Sequence, residues 1–559
     1  MDGGTNCVAS PSAGPLHRPL GSLSVFMGSK YCGWMVVLLL LGSAWQALSA
    51  DEILAQNMRV RVAQGQLVGT MDQGARAFLG IPYAQPPVGS LRWRAPMPVQ
   101  GWHGVRDAAH FGLNCMQQDP VPFGPWTAEF IAGPSLGEDC LTLNVWTPEK
   151  PPAVPLPVLV WIHGGAFASG SGSIPIYNGA ALARKGAVVV TINYRVGIFG
   201  FLAHPALSAE SPRHVSGNYG LLDVIEALRW VRANIGRFGG DARQTTIAGQ
   251  SAGAAAVNDL IVSPQARGLF YRAIAESGSG MGITVQSLCE AERQGARIQG
   301  ASGLAAIDAL RTLSPEQVLA LKVSPEPGAG DGPRLPFGPV LDGVVLPADP
   351  GRGDALVVNA VPLLTGFNAD EASATAPTSV TAQVFEEQVR ARYGTFAGRL
   401  LALYPHGNDA DADASARLLA RDRYMVSLVQ WSLARTATST QNIYPYLFDR
   451  VLPGPDAARF RSFHTAEVPY VFGVLDQGAR PFGPQDHVVS ELLQGYWLNF
   501  MRTGDPNGAG LPKWLRFEAN VGKVMALGDK PGAIWPASSR ERHRVLRDYA
   551  AAGGTLSLF

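Results

Sequence analysis

The stretch Gly249-Gln250-Ser251-Ala252-Gly253 constrains this chain more than any other. It follows Thr245-Thr246-Ile247-Ala248, a short β-branched run, and opens onto the Ala-rich stretch from Ala252 to Val257. A strand that passes into a helix through a single residue turns so tightly that side chains two positions on either side would collide, which is why those positions are glycine. The pattern alone is weak in a chain with 64 Gly. The strand before it and the helical stretch after it make it specific. It predicts that Ser251 stands with its hydroxyl exposed at the carboxyl edge of a parallel sheet, with the Ala252 N–H at the start of the following helix.

The rest of the chain reads as such a sheet. Val158-Leu159-Val160-Trp161-Ile162 is continuously apolar, and Ala187 to Tyr194 is rich in β-branched residues, as strands buried on both faces should be. Leu221, Ile225, Leu228 and Val231 recur at helical spacing, and that helix is expected to end near Gly236, Gly239 and Gly240. Further strands are expected at Arg272 to Ala275, Val361 to Thr365 and Ile443 to Phe448, a loop over Ser324 to Pro339, and a solvated helix start over Asp409 to Ala416. Strands alternating with helices imply an α/β chain with a large, mostly parallel central sheet flanked by helices. No internal repeat or linker divides it. Near-balance of charge, 45 Lys+Arg against 44 Asp+Glu, argues against a nucleic-acid surface or another polyanionic partner.

Residues 1–50 have the pattern of a targeting segment. Lys30 precedes the apolar run Trp34 to Leu41, and small residues follow at Ala47, Ser49 and Ala50. Ala47-Leu48-Ser49 fits a cleavage site, cleavage after Ala50 fits nearly as well, and Met27 is a candidate for the true start. The run is shorter than the ~20 apolar residues a membrane span needs. A cleaved secretory signal, a secreted or periplasmic protein, no stable membrane anchor and one catalytic domain over 51–559 are therefore expected. In an oxidising compartment, two of Cys115, Cys140 and Cys289 should pair. Cys115 and Cys140 would enclose a 24-residue loop, for which chain entropy gives roughly 3 kcal/mol. No Cys/His cluster suggests a metal, no cofactor motif is evident, and no Asn-x-Ser/Thr sequon occurs.

A second piece of chemistry is His163-Gly164-Gly165-Ala166-Phe167, after an apolar strand and upstream of the elbow. Paired glycines let the backbone approach a substrate and aim N–H groups at it, so Gly164, Gly165 and Ala252 are candidate donors to an oxyanion. A serine hydroxyl needs a base, and enzymes built on this elbow carry the acid and then the histidine after the nucleophile. Only His406, His464, His487 and His543 follow Ser251. His543 sits in a charged tail and His406 and His487 in polar, Pro/Gly-flanked stretches, whereas His464 lies in a largely apolar neighbourhood. The acid should follow the strand at Val361 to Thr365. There Gly366-Phe367-Asn368-Ala369-Asp370-Glu371 leaves both Asp370 and Glu371 open.

The chain resembles the type-B carboxylesterases, α/β-hydrolases that include cholinesterases and some lipases. The resemblance runs over nearly all of the expected mature chain. It rests on Phe78-Leu79-Gly80-Ile81-Pro82-Tyr83-Ala84, Leu91-Arg92-Trp93 and Glu138-Asp139-Cys140-Leu141-Thr142-Leu143-Asn144-Val145-Trp146. Gly217-Asn218-Tyr219-Gly220-Leu221-Leu222-Asp223, Tyr496-Trp497-Leu498-Asn499-Phe500 and Gly504-Asp505-Pro506-Asn507 add to it. The resemblance implies an α/β-hydrolase fold with Glu371 as the acid, His464 as the base, Ser277 as a second serine holding the acid, and a Cys115–Cys140 disulfide. The family usually has Glu before the nucleophile. Gln250 stands there instead, which removes a carboxylate and argues against cationic substrates. Phe123 and Trp126, in the Cys115–Cys140 loop, are candidates to line the approach to the site.

The expected activity is hydrolysis of small neutral carboxylic esters through an acyl-enzyme, by Ser251, Glu371 and His464 with an oxyanion hole of Gly164, Gly165 and Ala252. A lipase or thioesterase on the same machinery is the alternative. A non-catalytic adhesion-type member is disfavoured because all three triad positions are occupied.

Overall fold

The computed structural model describes residues 58–282, 285–322, 335–375, 379–520 and 522–557. The leader expected over residues 1–50 and residues 324–334 of the Pro/Gly-rich stretch lie outside them.

The apolar runs assemble into one sheet of eleven strands. In chain order these are β1 (Thr70–Asp72), β2 (Ala75–Pro82), β3 (Thr142–Pro148), β4 (Leu156–Ile162), β5 (Val188–Ile192) and β6 (Gly240–Gln250). They continue as β7 (Arg272–Glu276), β8 (Leu363–Asn368), β9 (Ile443–Phe448), β10 (Val524–Leu527) and β11 (Gly532–Ile534). In space they lie β11-β10-β9-β8-β7-β6-β4-β5-β3-β2-β1. Every neighbouring pair from β5 across to β10 is parallel. The flanking strands are antiparallel.

The central strand shows why the pattern reads as it does. Val158, Val160 and Ile162 of β4 enter one apolar cluster, while Leu159 and Trp161 enter another on the opposite face. Alternate residues thus feed two helical layers, and every position must be apolar. One layer contains α1 (Tyr219–Asn234) and α2 (Ala252–Val262). Leu221, Ile225, Leu228 and Val231 are the buried stripe of α1. Two further helices, α3 (Ala382–Tyr393) and α4 (Asp409–Thr438), lie between β8 and β9 in the chain. In the layer on the opposite face, α5 (Pro484–Thr503) contributes Leu493, Trp497 and Phe500.

Two boundaries differ from expectation. The strand expected from Val361 starts at Leu363, because Pro362 has no N–H to give the ladder; Leu363 N–H is the first to donate, to Asn442 O at 2.8 Å. Helix α1 ends at Asn234, and a 3₁₀ turn carries the chain to Gly239, whose φ of 85° makes the left-handed reversal. The Asp409 to Ala416 tract is the first turns of α4, capped by the Asn408 side chain, with Asp409 and Asp411 at the positive end of the helix dipole.

Cys115 and Cys140 form a disulfide with Cα atoms 4.9 Å apart, and Cys289 is free and exposed. Beside the disulfide, Arg92 makes a bidentate pair with Glu138 at 2.5 and 2.7 Å. Arg195 and Asp223 form a second buried pair, both bonds at 2.7 Å. Among the described residues no helix is long and apolar enough to cross a membrane.

Candidate active site

Ser251 lies between the end of β6 and the start of α2, with φ 59° and ψ −124°. That is a costly conformation for a residue with a side chain, sustained only when its surroundings fix it. Here they do. A Cβ on Gly249 would stand 2.5 Å from the Gly253 carbonyl carbon, and one on Gly253 would stand 2.0 Å from Ile162 O. The Ser251 N–H donates to Glu276 O on β7 at 2.8 Å.

The chain leaving β4 passes directly against this elbow. A Cβ on Gly164 would lie 2.7 Å from Gln250 O and 3.1 Å from Ser251 Cβ. Gly165 has φ 109° and backs onto Ser169 O. The loop is anchored from below, where the His163 ring stacks on Tyr194 at 4.3 Å and the Tyr194 hydroxyl donates to His163 O. Burial pulls the His163 imidazole down to about 4, so it is neutral and structural at ordinary pH. Among the described residues, the Gly165 N–H donates to no backbone carbonyl, while the Gly164 N–H lies within reach of the Tyr177 hydroxyl. As the first residue of α2, Ala252 has no intrahelical acceptor for its N–H. Gly165 and Ala252 thus present free backbone donors on the loop and the helix that meet at the elbow.

The loops after β8 and β9 bring the charged groups. Glu371 opens a 3₁₀ turn after β8 and is buried. Its Oε1 accepts from Ser277 Oγ at 2.5 Å and from Asn368 N–H at 2.7 Å, and its Oε2 bonds to His464 Nδ1. Asp370, the other carboxylate the spacing allowed, points elsewhere. It pairs with Arg461 at 3.4 Å and accepts from Ser462 N–H at 3.3 Å. Of the other downstream histidines, His406 bonds Tyr404 O at 2.8 Å, and His487 lies near Asp476 at 3.6 Å on the surface.

His464 Nε2 lies 3.1 Å from the Gln250 side-chain nitrogen. Its Nδ1 faces a carboxylate, so a neutral ring carries its proton there and Nε2 accepts from the Gln250 amide. The ring is therefore beside the elbow, but among the described residues Ser251 Oγ has no hydrogen bond to it. Burial lowers the His464 pKa, while the charge and hydrogen bond of Glu371 and the charge of Glu467 raise it; the net shift is upward.

Sequence reasoning missed the groups beneath this pair. Glu467 and Glu276 are fully buried. Glu467 accepts from Asn368 Nδ2 at 2.6 Å and from the Tyr446 hydroxyl at 3.3 Å, and Glu276 accepts from Trp497 Nε1 at 2.9 Å. Burial and the charge of Glu371 push Glu467 up to about 7; burial and the charge of Glu467 push Glu276 well up. The available signal was their place in the chain, Glu467 three residues after His464 and Glu276 beside Ser277. Trp126 closes the other side, its indole N–H donating to His464 O and Thr465 Oγ1, both at 3.2 Å. Phe123 packs on Trp126 with ring centroids 4.8 Å apart and stays exposed. Of the nine non-glycine residues with positive φ among the described residues, Ala166, Phe167, Ser251, Ser277 and Thr465 belong to the segments that meet at this site. Such clustering of strain marks functional positions.

The family model for the carboxylesterase family matches residues 56–544. The chain belongs to the carboxylesterase family. It is 36% identical over 541 residues to a fumonisin B1 esterase of Sphingopyxis macrogoltabida, covering 94% of this chain and 95% of that protein. It is also 36% identical over 485 residues to the para-nitrobenzyl esterase of Bacillus subtilis (strain 168), covering 84% and 94%. A solved PNB esterase structure superposes with a TM-score of 0.70 at 31% identity, covering 88% of this chain and 100% of that one. The protein is accordingly an ester-hydrolysing enzyme with the α/β-hydrolase fold, and its substrates are small-molecule esters.

Proposed function

We propose that this carboxylesterase cleaves neutral carboxylic esters through an acyl-enzyme on Ser251. The observation that carries this is the convergence at one sheet edge of a strained, half-buried serine, a Glu371-bonded imidazole and a glycine loop packed against the elbow. His464 Nε2 exchanges its Gln250 partner for the Ser251 hydroxyl and takes its proton as Oγ bonds the substrate carbonyl carbon. The carbonyl π electrons move to oxygen, where the Gly164, Gly165 and Ala252 N–H groups stabilise the charge. Glu371 keeps the Nδ1–H tautomer and stabilises the imidazolium. That imidazolium returns its proton to the departing alkoxide. A water then attacks the acyl carbon, gives its proton to His464, and releases the acid and the free Ser251 hydroxyl.

Gln250 places an amide where a carboxylate would attract cations, so neutral esters are expected to be preferred over choline esters. Ser251→Ala should lower kcat on p-nitrophenyl esters by roughly 10⁴-fold or more. A variant that keeps wild-type turnover would end the proposal. Parallel assays with short- and long-chain p-nitrophenyl esters and acyl thioesters separate esterase from lipase and thioesterase action. The leader-like pattern of residues 1–50 and the Cys115–Cys140 disulfide also support export from the cytoplasm, which N-terminal sequencing of the extracytoplasmic protein would test.

A further inference from the structure

Behind Glu371, away from Ser251, a cavity of about 790 Å³ opens between α3, α4 and the loop of residues Ala369 to Ser373. Its walls carry five arginines, Arg392, Arg417, Arg421, Arg423 and Arg459. The three acids on the same walls are already engaged: Asp413 with Arg417, Asp370 with Arg461, and Glu371 with His464. Arg421 faces the charges of Asp449 and Asp370, whereas among the described residues no ion pair joins Arg392, Arg423 or Arg459 to a carboxylate.

Arg423 is the most telling of these. It is 8% exposed, its Nη2 donates to the Tyr424 hydroxyl at 3.2 Å, and its Nε has no hydrogen-bond partner. The buried Tyr393 hydroxyl on the same wall lies within hydrogen-bond reach of this guanidinium. Buried donors are almost always paired, so the unpartnered Nε of a buried guanidinium on a cavity wall implies an acceptor that belongs there. Burial and, after it, the charge of Arg423 hold Arg392 below its ordinary pKa. A carboxylate between them would answer both, since a guanidinium presents its N–H groups in the fork that a carboxylate matches. The remaining wall is apolar, with Val380, Phe385, Val389 and Leu419.

We infer that this cavity is a binding site for an amphipathic organic carboxylate, its head held by Arg392, Arg423 and Tyr393 and its hydrocarbon body against the apolar wall. Its size is in the range of small-molecule sites. The carboxylic acid released by ester hydrolysis belongs to the same chemical class.

Titration calorimetry of the full-length protein with octanoate tests this without turnover, so its outcome is separate from that of the Ser251 assignment. Octanoate should bind saturably, with Kd raised at least tenfold in both Arg423→Gln and Arg392→Gln, and at least tenfold tighter than octanol or inorganic phosphate. Arg392 is exposed, so its variant serves if Arg423→Gln fails to fold. Octanoate binding within twofold of wild type in the folded variants would overturn the site. Octanol matching octanoate would overturn its anion specificity, and phosphate matching octanoate its amphipathic character.

Discussion

The two halves of the proposed active site are built from different materials. The elbow and the loop after β4 are backbone structures, fixed by glycines whose Cβ atoms would lie 2.0–2.7 Å from carbonyl groups. The base and acid half is made of side chains on the long connections after β8 and β9, fixed by hydrogen bonds in a buried nest of carboxylates. Steric exclusion leaves a mark on sequence, because only glycine satisfies it. A hydrogen-bond network does not, because several residue types could fill each role.

Glu371 offers the sharpest break between the halves. Glu371→Gln should leave the imidazole in the wrong tautomer and lower kcat by about 10⁴-fold, the scale seen when an orienting acid loses its charge. Asp370→Asn, one residue away but paired with Arg461, should stay within a few-fold of wild type; steady-state kinetics on a p-nitrophenyl ester compares the two. On the backbone side, Gly164→Ala would push its loop off Gln250 and Ser251 without removing any polar group. A loss of about 10²–10³-fold in kcat, with KM little changed, is expected from one displaced oxyanion donor.

The smallest expected effect is on pH. The base must be neutral, and the His464 pKa is raised, so kcat/KM should fall as pH drops through a value above the reference of about 6.5. Gln250→Glu places a negative charge at Nε2, favours the imidazolium and should move that limb upward by about one pH unit or more. A limb that stays in place would show that Gln250 does not reach the base in solution.

The same contrast explains what could be read in advance. Ser251, Gly164, Gly165 and the parallel strands were legible because tight turns and burial on two faces each demand a narrow set of residues. Spacing left Asp370 and Glu371 open, and the resemblance to carboxylesterases favoured Glu371. In the structure it is Glu371 that bonds His464, while Asp370 turns to Arg461. The contact of Gln250 with the imidazole and the bonds of Glu467 to Asn368 and Glu276 to Trp497 join residues 99 to 221 positions apart in the chain, and the cavity's arginines are scattered from Arg392 to Arg459. No local pattern records such meetings.

Mass spectrometry of the enzyme quenched during turnover of a p-nitrophenyl ester tests the central claim most directly. An acyl adduct confined to the peptide containing Ser251, and missing from Ser251→Ala, is the result this account predicts. Full turnover with no adduct at Ser251, or an adduct at another residue that persists in Ser251→Ala, would contradict it.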